Sequence, residues 1–120
     1  MTKQREVVIG TGTPERLGRE FIDAWKRAER GEAVETTEAI YFTDVTMLTQ
    51  VISEKRLQLL RELQRHPHTS VYELARRLGR NYKNVHSDVA LLKRIGLIED
   101  SDGLSVPYTK IHAEIDLLPA

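Results

Sequence analysis

Eleven side chains between Arg76 and Arg94 carry the groups in this sequence best suited to contact a polyanion. Arg76, Arg77, Arg80, Lys83, Lys93 and Arg94 supply positive charge, and Asn81, Tyr82, Asn84, His86 and Ser87 supply hydrogen-bonding groups among them. Lysine and arginine neutralise phosphate, while lysine and asparagine also read acceptor and donor patterns on base edges. The set therefore suits duplex DNA. At about 100° per residue with Val85 at zero, Val89 falls near 40° and Leu92 near −20°, which marks a buried side. Lys83, Ser87, Ala90 and Arg94 then cluster within roughly 50° of the opposite pole, with His86 and Asn84 on its flanks. Ser87 and Ala90 are small and permit close approach. Arg80 and Tyr82 stand at the helix start, and Arg76, Arg77 and Lys93 are placed as phosphate contacts that fix register rather than sequence. Charged residues on a helix are most often only a solvated face, so the signal lies in the whole arrangement and not in any one arginine.

The arrangement comes from the elements around it. Ser53 is a candidate cap for a helix that turns Leu57, Leu60 and Leu63 inward with Leu59 beside them, and His66-Pro67 ends it because a residue before proline is pushed out of the helical region. Ser70 and Glu73 form an S-x-x-E capping box, Val71, Leu74, Ala75 and Leu78 define the buried side of the next helix, and Gly79 supplies a tight turn. Asn81 caps the third helix and Gly96 ends it. Leu97 and Ile98 open a strand, Ser101-Asp102-Gly103 is a hairpin signal, and Leu104–Val106 returns as its partner. Charge follows the same division. Residues 53–98 hold ten Lys/Arg against four Asp/Glu, a balance of plus six, while residues 1–52 (seven against nine) and 99–120 (one against five) carry minus two and minus four. The net charge of zero hides a basic middle.

Before this segment, Arg5–Ile9 is β-prone and runs into a loop at Gly10–Thr13. Thr13 and Pro14 can open a helix in which Leu17, Phe21, Ala24, Trp25 and Ala28 recur at helical spacing, so that one face must be covered. Residues 32–38 read as a surface connection and Ala39–Phe42 as a short β-like run. Thr43 is a plausible cap for a helix with Val45, Leu48 and Ile52 on one side and Met47 and Val51 beside them. At the C-terminus, Ile111, Ala113, Ile115 and Leu117 alternate with Lys110, His112, Glu114 and Asp116, the pattern of a half-buried strand. The expected architecture is α+β, mainly α: a winged helix-turn-helix with C-terminal strand over residues 43–120, preceded by a strand-helix extension over residues 1–42 that serves dimer or partner contacts.

The stretch ELARRLGRNYKNVHSDVALLKRIGLIE, Glu73 to Glu99, resembles the winged helix-turn-helix transcriptional regulators of the MarR and ArsR type, and the likeness covers residues 53–107. Within that superfamily the whole chain is similar to a group of small prokaryotic predicted regulators, through FIDAWKRAERGE at Phe21 to Glu32, R-L-x-L-L-R-x-L at Arg56 to Leu63 and LGRNYKNVHSDV at Leu78 to Val89. The resemblance implies an antitoxin or autoregulator and assigns the recognition role to Asn81, Tyr82, Lys83, Asn84, His86 and Ser87. The expected function is a sequence-specific DNA-binding regulator acting as a homodimer, with double-stranded DNA as partner and a toxin protein as a possible second one. The rival expectation is a protein-interaction module that neutralises a toxin with little or no DNA binding. Two features depart from the resemblance. The hairpin tip, Asp100-Ser101-Asp102-Gly103, is acidic where a DNA-gripping wing offers Arg or Lys, and the chain lacks the cysteines of ArsR-type metal sensing.

Other chemistry finds little support. With no cysteine there is no disulfide, thiolate metal site or cysteine nucleophile, which fits a reducing cytoplasm. His66 and His68 lack a third neighbouring ligand, so no metal is expected. Gly10 and Gly12 lack the remainder of a phosphate-binding motif and read as a loop turn. No nucleophile, base and orienting group fall into an interpretable set, so neither an enzyme nor a cofactor is expected. Apolar runs are too short for a membrane span, and Met1 is followed by polar residues rather than a signal sequence.

Overall fold

The computed structural model describes residues 5–12, 14–32, 38–115 and Leu117. Helices and strands both contribute, in the order β1 (Glu6–Thr11), α1 (Pro14–Glu29), β2 (Glu38–Phe42), α2 (Val45–Val51), α3 (Glu54–Arg65), α4 (Val71–Leu78), α5 (Tyr82–Ile95), β3 (Glu99–Asp100), β4 (Leu104–Ser105) and β5 (Lys110–Glu114). The chain divides into two compact units. Thr49–Lys110 form the bulk of one, and Glu6–Leu48 with the segment from Ile111 onwards form the other. The division falls inside α2 and places most of β5 with the unit built on Glu6–Leu48.

In the unit built on Thr49–Lys110, each helix starts and stops where a side chain meets otherwise unpaired backbone groups. Ser53 Oγ accepts from Arg56 N at 3.2 Å to open α3, and His66 caps its other end just before Pro67. Ser70 Oγ accepts from Glu73 N at 3.1 Å to open α4. Glu73 does not return the bond as a full capping box would, because its carboxylate holds Arg76 instead. Gly79 at φ 63° and Gly96 at φ 94° end α4 and α5 in the left-handed conformation. The apolar stripes close on one core, in which Leu59, Leu63, Leu74, Val85, Leu92 and Leu97 are fully buried. Each such side chain contributes about 1.5–3 kcal/mol relative to exposure.

β3 and β4 pair antiparallel, Glu99 opposite Ser105 and Asp100 opposite Leu104. The strand opens two residues later than Leu97 because Leu97 N still bonds Leu92 O at 2.9 Å in the helix cap, which leaves Leu97 and Ile98 as buried core residues. The hairpin is pinned to the loop before α4: His68 N donates to Leu104 O and Leu104 N to Thr69 O, both at 2.8 Å. Gly103 makes this seat possible. Its φ is 96°, and a Cβ there would lie 2.5 Å from the carbonyl carbon of His68.

In the other unit β1 and β2 run parallel, in register from Val7 opposite Glu38 to Thr11 opposite Phe42, with α1 as the crossover that parallel pairing requires. β1 is central, in the order β2-β1-β5. Val7, Ile9 and Phe42 are buried, whereas β5 is mostly exposed rather than half-buried. Gly10 and Thr11 continue β1 instead of leaving it in a turn. A Cβ on Gly10 would sit 2.8 Å from the carbonyl oxygen of Glu114, so the glycine serves strand approach. Asp44, not Thr43, caps α2, its Oδ1 accepting from Met47 N at 2.8 Å. Leu48 and Val51 are buried, but Val45 and Met47 are exposed. α1 follows the expected helix, yet Phe21 (69 % exposed) and Trp25 (60 %) have no cover. Thr13, the side chain of Leu17 and Asp116 lie outside the described residues.

Candidate nucleic-acid interface

The outward side of α5 is set by its buried one. Val85, Val89 and Leu92 face the core, so Lys83, Ser87, Ala90 and Arg94, spaced four, three and four residues apart, form a straight exposed line. At about 1.5 Å per residue that line is roughly 16 Å long. Among the described residues neither Lys83 nor Arg94 has a carboxylate within 4 Å, so both amino and guanidinium groups face solvent. Ser87 and Ala90 leave the space between them low. The Ser87 hydroxyl donates to Lys83 O at 3.1 Å, which leaves its oxygen lone pairs as acceptors.

The start of the helix is occupied with its own structure. Asn81 Oδ1 accepts from Lys83 N at 2.8 Å and from Asn84 N at 3.4 Å, so its carbonyl caps α5 while its amide group remains outward. Tyr82, 51 % exposed, and His86 pair with ring centroids 5.9 Å apart along one flank. Asn84 is exposed on the other.

The remaining cations stand apart from this line in their partners. Arg80, placed with the DNA contacts on sequence grounds, donates to Asp88 at 2.7 Å and is only 20 % exposed. Arg56 of α3 reaches the other carboxylate oxygen of Asp88 at 3.2 Å. Asp88 therefore joins α3, the turn and α5, and Arg80 is a positioning group whose Nη1 is buried without a partner. Arg76 forms a two-point pair with Glu73. The Arg76 guanidinium hydrogen-bonds that carboxyl and holds it below its ordinary value, while Glu73 in turn raises Arg76. Arg77 lies 3.6 Å from Glu73 and 3.9 Å from Glu62, and Lys93 3.3 Å from Asp100. Sequence reasoning missed Asp88, Glu73 and Glu62 as partners. One signal pointed to Asp88: it sits about 60° from Val85 on the wheel, an acid on the border of an apolar stripe in a basic segment.

The hairpin tip keeps its acidic character, with Asp100, Ser101 and Asp102 all exposed. His66 lies 3.7 Å from Glu62 and His68 Nδ1 3.1 Å from Asp102 O, so the two histidines turn to different partners. Among the described residues no group of three His, Cys, Asp or Glu could hold a metal ion, and no helix is long and apolar enough to cross a membrane.

Three helices and a pinned hairpin thus display one polar, partly cationic helix face. The chain belongs to the HVO_A0114 family, whose model matches residues 51–113 and so takes in every element that positions this face. No curated protein and no solved structure matches the chain.

Proposed function

We propose that the chain is a DNA-binding transcriptional regulator in which α3, α4, α5 and the β3-β4 hairpin act as a winged helix-turn-helix and α5 enters the major groove. The observation that carries this reading is the exposed line Lys83, Ser87, Ala90, Arg94. It combines free cations at its ends with small residues at its centre, on a helix held by caps at both termini. A major groove about 12 Å wide admits such a helix, and Lys83 with Asn84 and the Asn81 amide supplies groups that discriminate bases. The acidic tip makes the hairpin a brace for the α4 loop, not a minor-groove probe. Two copies related by a two-fold axis would read half-sites about one helical turn apart.

The test is selection of duplexes from a randomised library by the full chain, followed by anisotropy titration of the enriched sequence. A defined motif should emerge, and Lys83→Ala should weaken binding to it by about 10- to 100-fold, the range of one lost base contact. Enrichment of no sequence, or a Lys83→Ala variant that binds like wild type, would overturn the proposal.

A further inference from the structure

We infer that the exposed apolar face of α1 is a self-association surface on which a second copy of this chain docks, the two α1 helices lying antiparallel. This deepens the reading above, since the second copy supplies the second α5, and only that consequence rests on DNA binding.

The face itself demands an occupant. Phe21, Ile22 and Trp25 are all more than half exposed and adjoin one another, and with Lys26 and Glu29 they line a shallow groove. A contiguous patch built on two large aromatics is unusual on a surface that meets only water. Its geometry is also fixed in advance. Phe21 and Trp25 pack with centroids 6.5 Å apart, and the Trp25 indole donates to Glu29 at 2.8 Å. Two rigid aromatics anchored on a helix lose little conformational freedom on docking.

Charge selects a second copy, and selects its direction. Glu15 and Lys26 lie on the same flank of the groove, eleven residues and therefore three turns apart, near opposite ends of α1. Among the described residues neither has an oppositely charged partner. When two α1 helices meet antiparallel about an axis between Glu20 and Phe21, Glu15 of each copy faces Lys26 of the other. A parallel pair carries this flank of the two helices to opposite sides of the contact, so that Glu15 and Lys26 meet no charge of the other copy's same flank and the attraction is lost. Shape agrees with charge. Side chains on a helix lean toward its N-terminus. About that axis each Trp25 starts opposite position 16 of the other helix and leans back over Gly18, and a Cβ added at Gly18 would meet nothing within 4 Å in the single chain. Gly18 costs the lone helix stability relative to alanine. In the pair it provides the hollow that takes the indole.

Sedimentation velocity on the full chain, with circular dichroism to confirm folding, tests this. Wild type should be dimeric at tens of micromolar, at about the concentration expected of a small interface. Gly18→Leu is compatible with the isolated helix, and it should fill the hollow and raise the dimer dissociation constant at least about 30-fold. Lys26→Glu should weaken the dimer about tenfold, and the double variant Glu15→Lys with Lys26→Glu should recover most of that loss. A wild type that stays monomeric to several hundred micromolar overturns the inference and leaves the face to a different partner. So does a dimer indifferent to Gly18→Leu, and a charge reversal that the double variant fails to rescue overturns the antiparallel arrangement. None of these outcomes depends on whether α5 binds DNA.

Discussion

Asp88 shows what separates a cation that holds the fold from one that stands free in solvent. It takes Arg56 on one oxygen and Arg80 on the other, with side-chain exposures of 24 %, 20 % and 13 % for Arg56, Arg80 and Asp88. Removing a partner from such a pair leaves charges that water reaches poorly, so Asp88→Ala should lower stability by about 2–3 kcal/mol, a little below the cost at fully buried sites. Chemical denaturation measures this, and an unchanged midpoint would show the triad to be a bystander. Lys83→Ala, with no partner to lose, should leave the unfolding free energy within about 0.5 kcal/mol of wild type. The Glu73–Arg76 pair gives a second, pH-dependent contrast. Its carboxyl is held below the ordinary value by the Arg76 guanidinium. A carboxyl with a lower pKa folded than unfolded stabilises the fold above the unfolded value of about 4.3, and that stabilisation disappears as pH falls through the lowered value. Arg76→Gln should therefore be less stable than wild type at neutral pH, by a small amount because both groups are exposed, and the two stability curves should merge in acid. Curves that stay parallel down to acid pH would assign the effect to packing of the arginine stem.

The elements were legible in the sequence wherever their signals are local. Ser53, Ser70 and Asn81 start helices and Gly79 and Gly96 end them, because a cap acts on backbone groups two to four residues away. The buried side of α5, and hence its outward line, followed from period alone. Elements decided by distant partners were not legible. The alternation of Ile111 to Leu117 describes a strand but cannot name β1 as its neighbour, and Gly10 looks like a turn until Glu114 is seen against it. The partner of Arg80 was not legible for the same reason, since Asp88 lies a full two turns along α5. Gly103 combines both kinds of signal: the turn was visible, but not the His68 backbone beneath it. Gly103→Ala adds a Cβ at 2.5 Å from that backbone and forces a positive φ on a chiral residue, so it should cost about 2–3 kcal/mol, more than a strained turn alone. Hydrogen exchange would locate the damage. The amides of His68 and Leu104, which bond across that seam, should lose protection before those of α5.

At the scale of the whole molecule the basic middle is less available than its net charge suggests. Of its ten Lys and Arg, seven (Arg56, Arg61, Arg65, Arg76, Arg77, Arg80 and Lys93) have a carboxylate within 4 Å, so Lys55, Lys83 and Arg94 remain as free cations among the described residues. Lys83 and Arg94 lie on the outward line of α5. Counterion release then sets a measurable limit. Two free cations brought against the duplex per chain displace counterions to give a slope of log affinity against log salt of about −2 per chain, whereas engagement of all six cations between Arg76 and Arg94 gives about −5. On the DNA-binding reading proposed above, the carboxylates restrain unspecific attraction. Glu73→Gln releases Arg76 and weakens the hold on Arg77, so it should steepen the slope by about one to two units while raising affinity for unrelated duplexes more than for the selected motif. Anisotropy titrations at several salt concentrations, on both duplexes, read the two effects separately. A wild-type slope near −5 would mean that the ion pairs of Arg76, Arg77, Arg80 and Lys93 all open on binding and that the pairing seen in the free chain is a resting state, while equal gains on both duplexes would show that Glu73 has no part in discrimination.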